Sequence, residues 1–206
     1  MSQPKILVVL GERTAAEIVE TAQLANGAEF GSIERLYFDA TRFVAEDVPR
    51  LSASGAEVYY HVGIAGDALK QKVVQACERF GWKAHSVIHP SAVISPSAVL
   101  DPGVFVGPLA VVSSYAVVGQ HSIIHIHASI GHDVKIGAFS AVLPGARISG
   151  NVLVGLRVLI GSNAFVAAGK SIGDDCRVDA MSYVNQDLPA NHMLSPRFPK
   201  PVPRVI

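Results

Sequence analysis

Charge is scarce in this chain. Only 17% of its 206 residues are Asp, Glu, Lys or Arg, and 17 basic residues face 17 acidic ones. That balance gives no electrostatic pull toward nucleic acid or an anionic membrane surface, so neither is expected as a partner. Cysteine is rarer still. Cys77 and Cys176 lie in apolar contexts with no metal-ligand spacing, which argues against a disulfide scaffold and suits free thiols in a reducing compartment. Long hydrophobic runs are missing too. The N-terminal MSQPKILVVLGERT holds an apolar run of about six residues, too short for a signal peptide or a membrane span. A cytoplasmic address follows from these absences.

What the chain has instead is a period. From His89 to Val184 it can be written as sixteen consecutive hexads with no insertion, beginning HPSAVI, SPSAVL and DPGVFV and ending GDDCRV and DAMSYV. The sixth residue of every hexad is aliphatic, from Ile94 and Leu100 through Ile130, Ile136 and Ile148 to Val178 and Val184. Two places earlier most hexads carry a small residue, such as Ala92, Ala110, Ser122, Ala146 or Ser182. A six-residue period fits neither a helix face nor a hairpin sheet; it is the period of a parallel β-helix. Three hexads close one triangular coil, and each aliphatic residue points inward onto its counterpart one coil later. In such a solenoid each coil touches only its neighbours. The aliphatic stack explains the scaffold, so function has to be sought where a hexad breaks the polar pattern.

The region before the repeat reads as a small α/β unit. Lys5–Leu10 (KILVVL) predicts a buried parallel strand and Thr14–Asn26 a helix capped by Thr14. Glu34–Phe38 and Glu57–Val62 predict further strands, Ala68–Phe80 a second helix, and Lys83–Val87 a last short strand. The expected fold is therefore α/β followed by β: a Rossmann-like domain over residues 1–86, then a left-handed parallel β-helix over 87–188. Residues 189–206 follow as an extended, proline-rich tail with no packed element of its own, lying along a neighbour or over the site. Ligands of small α/β units sit at the carboxyl ends of the strands. The turn Gly11-Glu12-Arg13-Thr14 has one glycine and an acidic side chain, a poor cradle for a dinucleotide. Asp39, Gly63 and Gly66 are placed to touch a nucleotide-sugar moiety instead.

Polar residues of the repeat gather in its middle, where His121, His125, His127 and His132 account for half of the eight histidines. His121 reads as a solvated corner; the roles of His125 and His127 stay open. His132 differs because Asp133 follows it. A carboxylate can hold one ring nitrogen and raise the basicity of the other, which makes an oriented general base that works near neutral pH. One coil on stands Gly150, which either turns a corner or lets a thioester approach the backbone, its N–H facing a developing oxyanion.

Those residues carry a resemblance. The ending IHPSAVISPSAV into hexads and the run SIGHDVKIGAFSAVLPGARISGNVLVG resemble sialic-acid O-acetyltransferase-like and sugar N-acetyltransferase proteins. The resemblance implies a CoA-dependent acyltransferase acting on an amino or hydroxyl group of a nucleotide-linked sugar, for surface glycans. It implies His132 and Asp133 as the base, Gly150 at the thioester carbonyl, and a homotrimer with acetyl-CoA in the groove between β-helices. Acetyl-CoA is then expected along Gly150 to Lys170, touching Gly150 and Ala168, with Lys170 toward a phosphate and no resident metal. His125 and His127 are expected to contact the acceptor. Four places depart from the family pattern: the first glycine-rich turn is reduced to Gly11-Glu12-Arg13, Ala141 replaces a second histidine, His125-Ile126-His127 replaces an Asn-Thr-Gly segment, and Ser195-Pro196-Arg197 replaces a closing Gly-Asn-Pro-Ala.

Two other classes remain open on sequence. His127 and His132 have the spacing of two zinc ligands in γ-class carbonic anhydrases, but Ser91 stands where a third ligand two coils earlier is needed. A non-catalytic assembly or ligand-binding subunit is the other alternative, motivated by the altered turn and Ala141.

Overall fold

The computed structural model describes residues 3–11, 13–36, 51, 55–64, 67–198 and 200–204. The chain divides into two compact units, Met1–Pro90 and Ser91–Ile206.

In the first unit the elements run β1 (Lys5–Leu10), α1 (Arg13–Asn26), β2 (Ser32–Leu36), β3 (Glu57–Val62), α2 (Asp67–Arg79), β4 (Lys83–Ala84) and β5 (Val87–Ile88). Four of the strands form a parallel sheet in the order β2-β1-β3-β4. β1 is central, which is why it is apolar on both faces: Leu7, Val8 and Val9 are fully buried. Helix α1 buries Ala15, Ile18 and Ala22, one stripe at helical spacing. Gly63, just after β3, lets α1 come close, because a Cβ there would lie 2.9 Å from both Ala15 Cα and Ile18 Cδ1. β2 begins two residues before the Glu34–Phe38 expectation, its register set by pairing Ile6 with Ser32 and Leu10 with Leu36; Tyr37 and Phe38 lie outside the described residues. The single last strand expected over Lys83–Val87 is two short strands, and the His85 carbonyl between them accepts from His61 Nδ1 at 2.9 Å.

In the second unit the fifth and sixth residues of every hexad form a two-residue strand, from Val93–Ile94 to Tyr183–Val184. Each pairs in parallel with the strand eighteen residues away, as Val117 with Lys135 and Val118 with Ile136. Three sheets result, the faces of a left-handed parallel β-helix. From Gly103 to Met181 the third residue of each hexad has a left-handed backbone, whether glycine or a side chain as large as Tyr115, Phe139 or Arg157. A non-glycine residue there costs roughly 1–2 kcal/mol. Against that cost, its N–H donates to the coil before, as Asp133 to the Ser114 carbonyl at 3.0 Å and Asn151 to the His132 carbonyl at 2.9 Å.

Hexad phase is lost after Val184, yet the chain keeps pairing. Leu188 bridges to Ile172, His192–Leu194 pairs in parallel with Arg177–Val178, and Val202–Pro203 returns antiparallel to it. This corrects the expectation of a tail without packed elements. The last coil presents an open edge of N–H and C=O groups, and the tail satisfies part of it. Arg157 pairs with Asp175 through two bonds of 2.7 Å, and Arg204 donates to the Asp175 carbonyl, tying the tail to that corner.

Candidate active site

His132 is the second residue of its hexad, at the outer bend of a corner, and Asp133 is the left-handed third residue. This geometry turns both side chains outward together. His132 Nδ1 lies 2.8 Å from an Asp133 carboxylate oxygen, and the two side chains are 60% and 51% exposed. Charge-assisted pairing of this kind fixes the ring's orientation and leaves Nε2 as the outward nitrogen.

One coil on, that nitrogen meets Gly150. A Cβ at Gly150 would sit 2.4 Å from His132 Nε2 and 2.6 Å from Cε1. The imidazole therefore lies directly against the glycine, in space any side chain would fill. Gly150 gives its carbonyl to the Gly169 N–H at 3.0 Å, but among the described residues no protein acceptor takes its own N–H. Ala168, a further coil along the same column, is exposed, and its N–H is likewise without a protein acceptor among the described residues. The column from His132 to Ala168 thus narrows from an imidazole to small residues with backbone donors to spare. A Cβ at neighbouring Gly169 would touch nothing within 4 Å. Lys170, at a position where most hexads bury a small residue, is half-buried. Small residues, spare N–H groups and one cation suit an extended amide-bearing ligand with a phosphate end.

His125 and His127 belong to the preceding corner, one side of the prism away from His132 in the same protomer. The Ile126 N–H donates to His125 Nδ1 at 2.9 Å, so the ring proton sits on Nε2. The half-buried His125 ring stands edge-on to Phe105 at 6.3 Å. His127 is exposed with a left-handed backbone. Among the described residues no group of three or more His, Cys, Asp or Glu is placed to hold a metal.

His121 corrects its expectation. It is 3% exposed rather than solvated, stacked on Phe139 at 5.3 Å and packed against Gly103, where a Cβ would lie 2.3 Å from its Nδ1. Gly103, His121 and Phe139 form one column at eighteen-residue spacing, a signal present in the sequence. Ala141 is buried.

In the first unit Gly63 closes against α1 as described, while Asp39 and Gly66 lie outside the described residues. Sequence reading missed one residue there: Lys70 is 2% exposed.

No protein-family model matches the chain, and no curated protein matches it. Solved structures do. An asparagine-for-histidine variant of perosamine N-acetyltransferase from Caulobacter crescentus, in complex with CoA and GDP-perosamine, is 28% identical over 93% of each chain, with a TM-score of 0.82. The acetyltransferase domain of PglB from Neisseria gonorrhoeae, with acetyl coenzyme A, is 23% identical over 98% of this chain and 100% of that one, with a TM-score of 0.82. WeeI from Acinetobacter baumannii is 17% identical over 96% of this chain and 100% of that one, with a TM-score of 0.77. The latter two show the fold; the first adds sequence likeness along nearly the whole chain. The structural neighbours thus include a perosamine N-acetyltransferase and an acetyltransferase domain.

Proposed function

We propose that the chain is a hexapeptide-repeat acetyltransferase, moving an acetyl group from acetyl-CoA to an amino or hydroxyl group of a nucleotide-linked sugar used in surface glycans. One observation carries the reading: His132, paired with Asp133 at 2.8 Å, rests its outer nitrogen against Gly150. With the Nδ1 proton held by the carboxylate, the Nε2 lone pair takes the acceptor's proton as the acceptor attacks the acyl carbon. The Gly150 N–H supplies the donor for charge developing on the acyl oxygen. Acetyl-CoA brings the acyl group as a thioester, and the spare N–H groups of Gly150 and Ala168 with Lys170 hold it. His125 and His127 lie apart from the base within a protomer, which suits acceptor contacts in an assembly where corners of different copies meet. The two buried free cysteines suit a cytoplasmic setting. No helix among the described residues is long and apolar enough to cross a membrane.

The test is thiol release from acetyl-CoA across UDP- and GDP-linked amino sugars. Turnover with at least one is expected. No release with any acceptor, together with no acetyl-CoA binding, would leave the chain a non-catalytic subunit.

We further propose a homotrimer. Outward side chains Val93, Val99, Leu109 and Tyr115 are 62%, 51%, 53% and 68% exposed, more apolar surface than a lone prism should show to water. Light scattering is expected to give a mass near three times 21.7 kDa; a monomer at micromolar concentration would overturn the assembly.

A further inference from the structure

The corner that carries His132 has two parallel columns at eighteen-residue spacing. Ser114, His132, Gly150 and Ala168 are the second residues of their hexads, and Tyr115, Asp133, Asn151 and Gly169 the third. Tyr115, Asp133 and Asn151 share one left-handed backbone, with φ of 59°, 58° and 59°. Side chains on the same backbone conformation leave the corner in the same direction, one coil or about 4.8 Å apart. All three are exposed. Asp133 holds the imidazole, so Tyr115 leaves the corner one coil before the dyad.

The fold does not call for a ring at this place. Tyr115 is 68% exposed and, among the described residues, meets no other aromatic ring. Glycine adopts the same backbone without cost, and Gly169 does so in the same column. Yet Tyr115 is firmly held. Its N–H donates to Ser97 Oγ at 3.2 Å, and the Ser114 carbonyl before it accepts from Asp133 at 3.0 Å. Ser95 Oγ lies 3.2 Å from both Ser97 Oγ and Ser114 Oγ. The early end of the corner is therefore a ring beside a cluster of hydroxyls. Its later end, past Gly150, has small residues and spare N–H groups.

Two reactants have to meet at His132 Nε2. The acceptor's nucleophile must lie within hydrogen-bond reach of that nitrogen and within attack distance of the acyl carbon at Gly150. With the acyl donor running from Gly150 to Ala168, the earlier coil is the part of the corner left for the body of the acceptor. A saccharide matches what stands there. One face of the sugar is C–H and packs on an aromatic ring, while its hydroxyls bond to a phenol and a serine at the rim.

We propose that Tyr115 is an acceptor-binding residue, its ring holding the saccharide on the side of His132 opposite to the acyl donor, with Ser114 meeting a sugar hydroxyl. The inference rests on the reading of the acceptor as a sugar, and it gives the two substrates opposite ends of one corner. Of the outward side chains from which the assembly is inferred, Tyr115 is the one in the column of Asp133 and the one that ends in a hydroxyl.

Steady-state thiol release tests this, with acetyl-CoA and an amino-sugar acceptor varied in turn. Tyr115→Ala should raise the acceptor KM about 5- to 20-fold, as expected for one lost aromatic packing contact. Its kcat and acetyl-CoA KM should stay within about twofold of wild type, the pattern of a lost binding contact. Tyr115→Phe keeps the ring and should return the acceptor KM to within about threefold of wild type. Light scattering should give both variants the wild-type mass. An unchanged acceptor KM in Tyr115→Ala overturns the assignment and leaves acetyl transfer to the sugar standing. A raised acetyl-CoA KM would put the ring on the donor, and a smaller mass would put it between copies; either result overturns the assignment. If wild type releases thiol with hydroxylamine but with no amino sugar, the sugar acceptor and Tyr115 fall together and acyl transfer survives.

Discussion

Replacing His132 with alanine is expected to lower kcat by about 10²–10⁴, the usual worth of a positioned general base. Acetyl-CoA affinity and assembly should stay near wild type, because the side chain is 60% exposed and supports no core contact. Undiminished turnover would disprove the base assignment and send the search to His127 or to the acceptor itself. Gly150→Ala supplies the internal control. Its new methyl group would occupy the space of Nε2, and the ring would have to swing away. The backbone of Gly150 is not left-handed, so alanine fits there without strain of its own. If the loss comes through His132, adding Gly150→Ala to His132→Ala should cost little more, whereas the two losses would multiply if the residues acted separately. His125→Ala should act mainly on the acceptor KM, given its place on the preceding corner.

The second large effect is on stability. Gly137→Ala should destabilise the solenoid by about 1–3 kcal/mol, the cost of overpacking a rigid contact, and lower the melting temperature accordingly. The added Cβ would lie 2.4 Å from both the carbonyl carbon and the oxygen of Gly155. Those are backbone atoms of the next coil, which cannot rotate aside as the His132 ring can. Comparing the two alanines by urea denaturation separates the cases. A Gly137→Ala protein as stable as wild type would mean that the coils can spread, and the same freedom would then loosen the contact between His132 and Gly150.

Much of this was legible before the structure. Each coil repeats its neighbour's hydrogen bonds, so the hexad phase fixes strand positions to the residue, and eighteen-residue counting leads from His132 to Gly150. β3 was readable in full because Glu57–Val62 has a clear apolar run. What failed depended on partners that no local pattern encodes. β2 starts two residues earlier than its own pattern suggests because its register comes from β1. The tail found strand partners on the last coil although its own hexad phase had gone. His121 was misjudged because its column, with Gly103 before it and Phe139 after, was not read as a unit. Lys70 hid because a lysine is ordinarily taken as solvent-facing; the spacing of Lys70, Val73, Val74 and Cys77 held the contrary signal.

Pairing each strand with the one eighteen residues away has a consequence for how such a chain can change by insertion. Six extra residues between Asp133 and Pro144 would keep every inward aliphatic inward, so the prism would still close. The same insertion would hand Gly150 to the next face and slide Pro144, which has no N–H, under the imidazole. Eighteen extra residues spliced in beyond Gly150 would leave the pair untouched. Folding thus obeys a count of six, while the pair needs a separation of eighteen, so hexads can be gained or lost outside the stretch from His132 to Gly150 with architecture and site both kept, whereas any hexad gained or lost within it keeps the architecture and separates the pair.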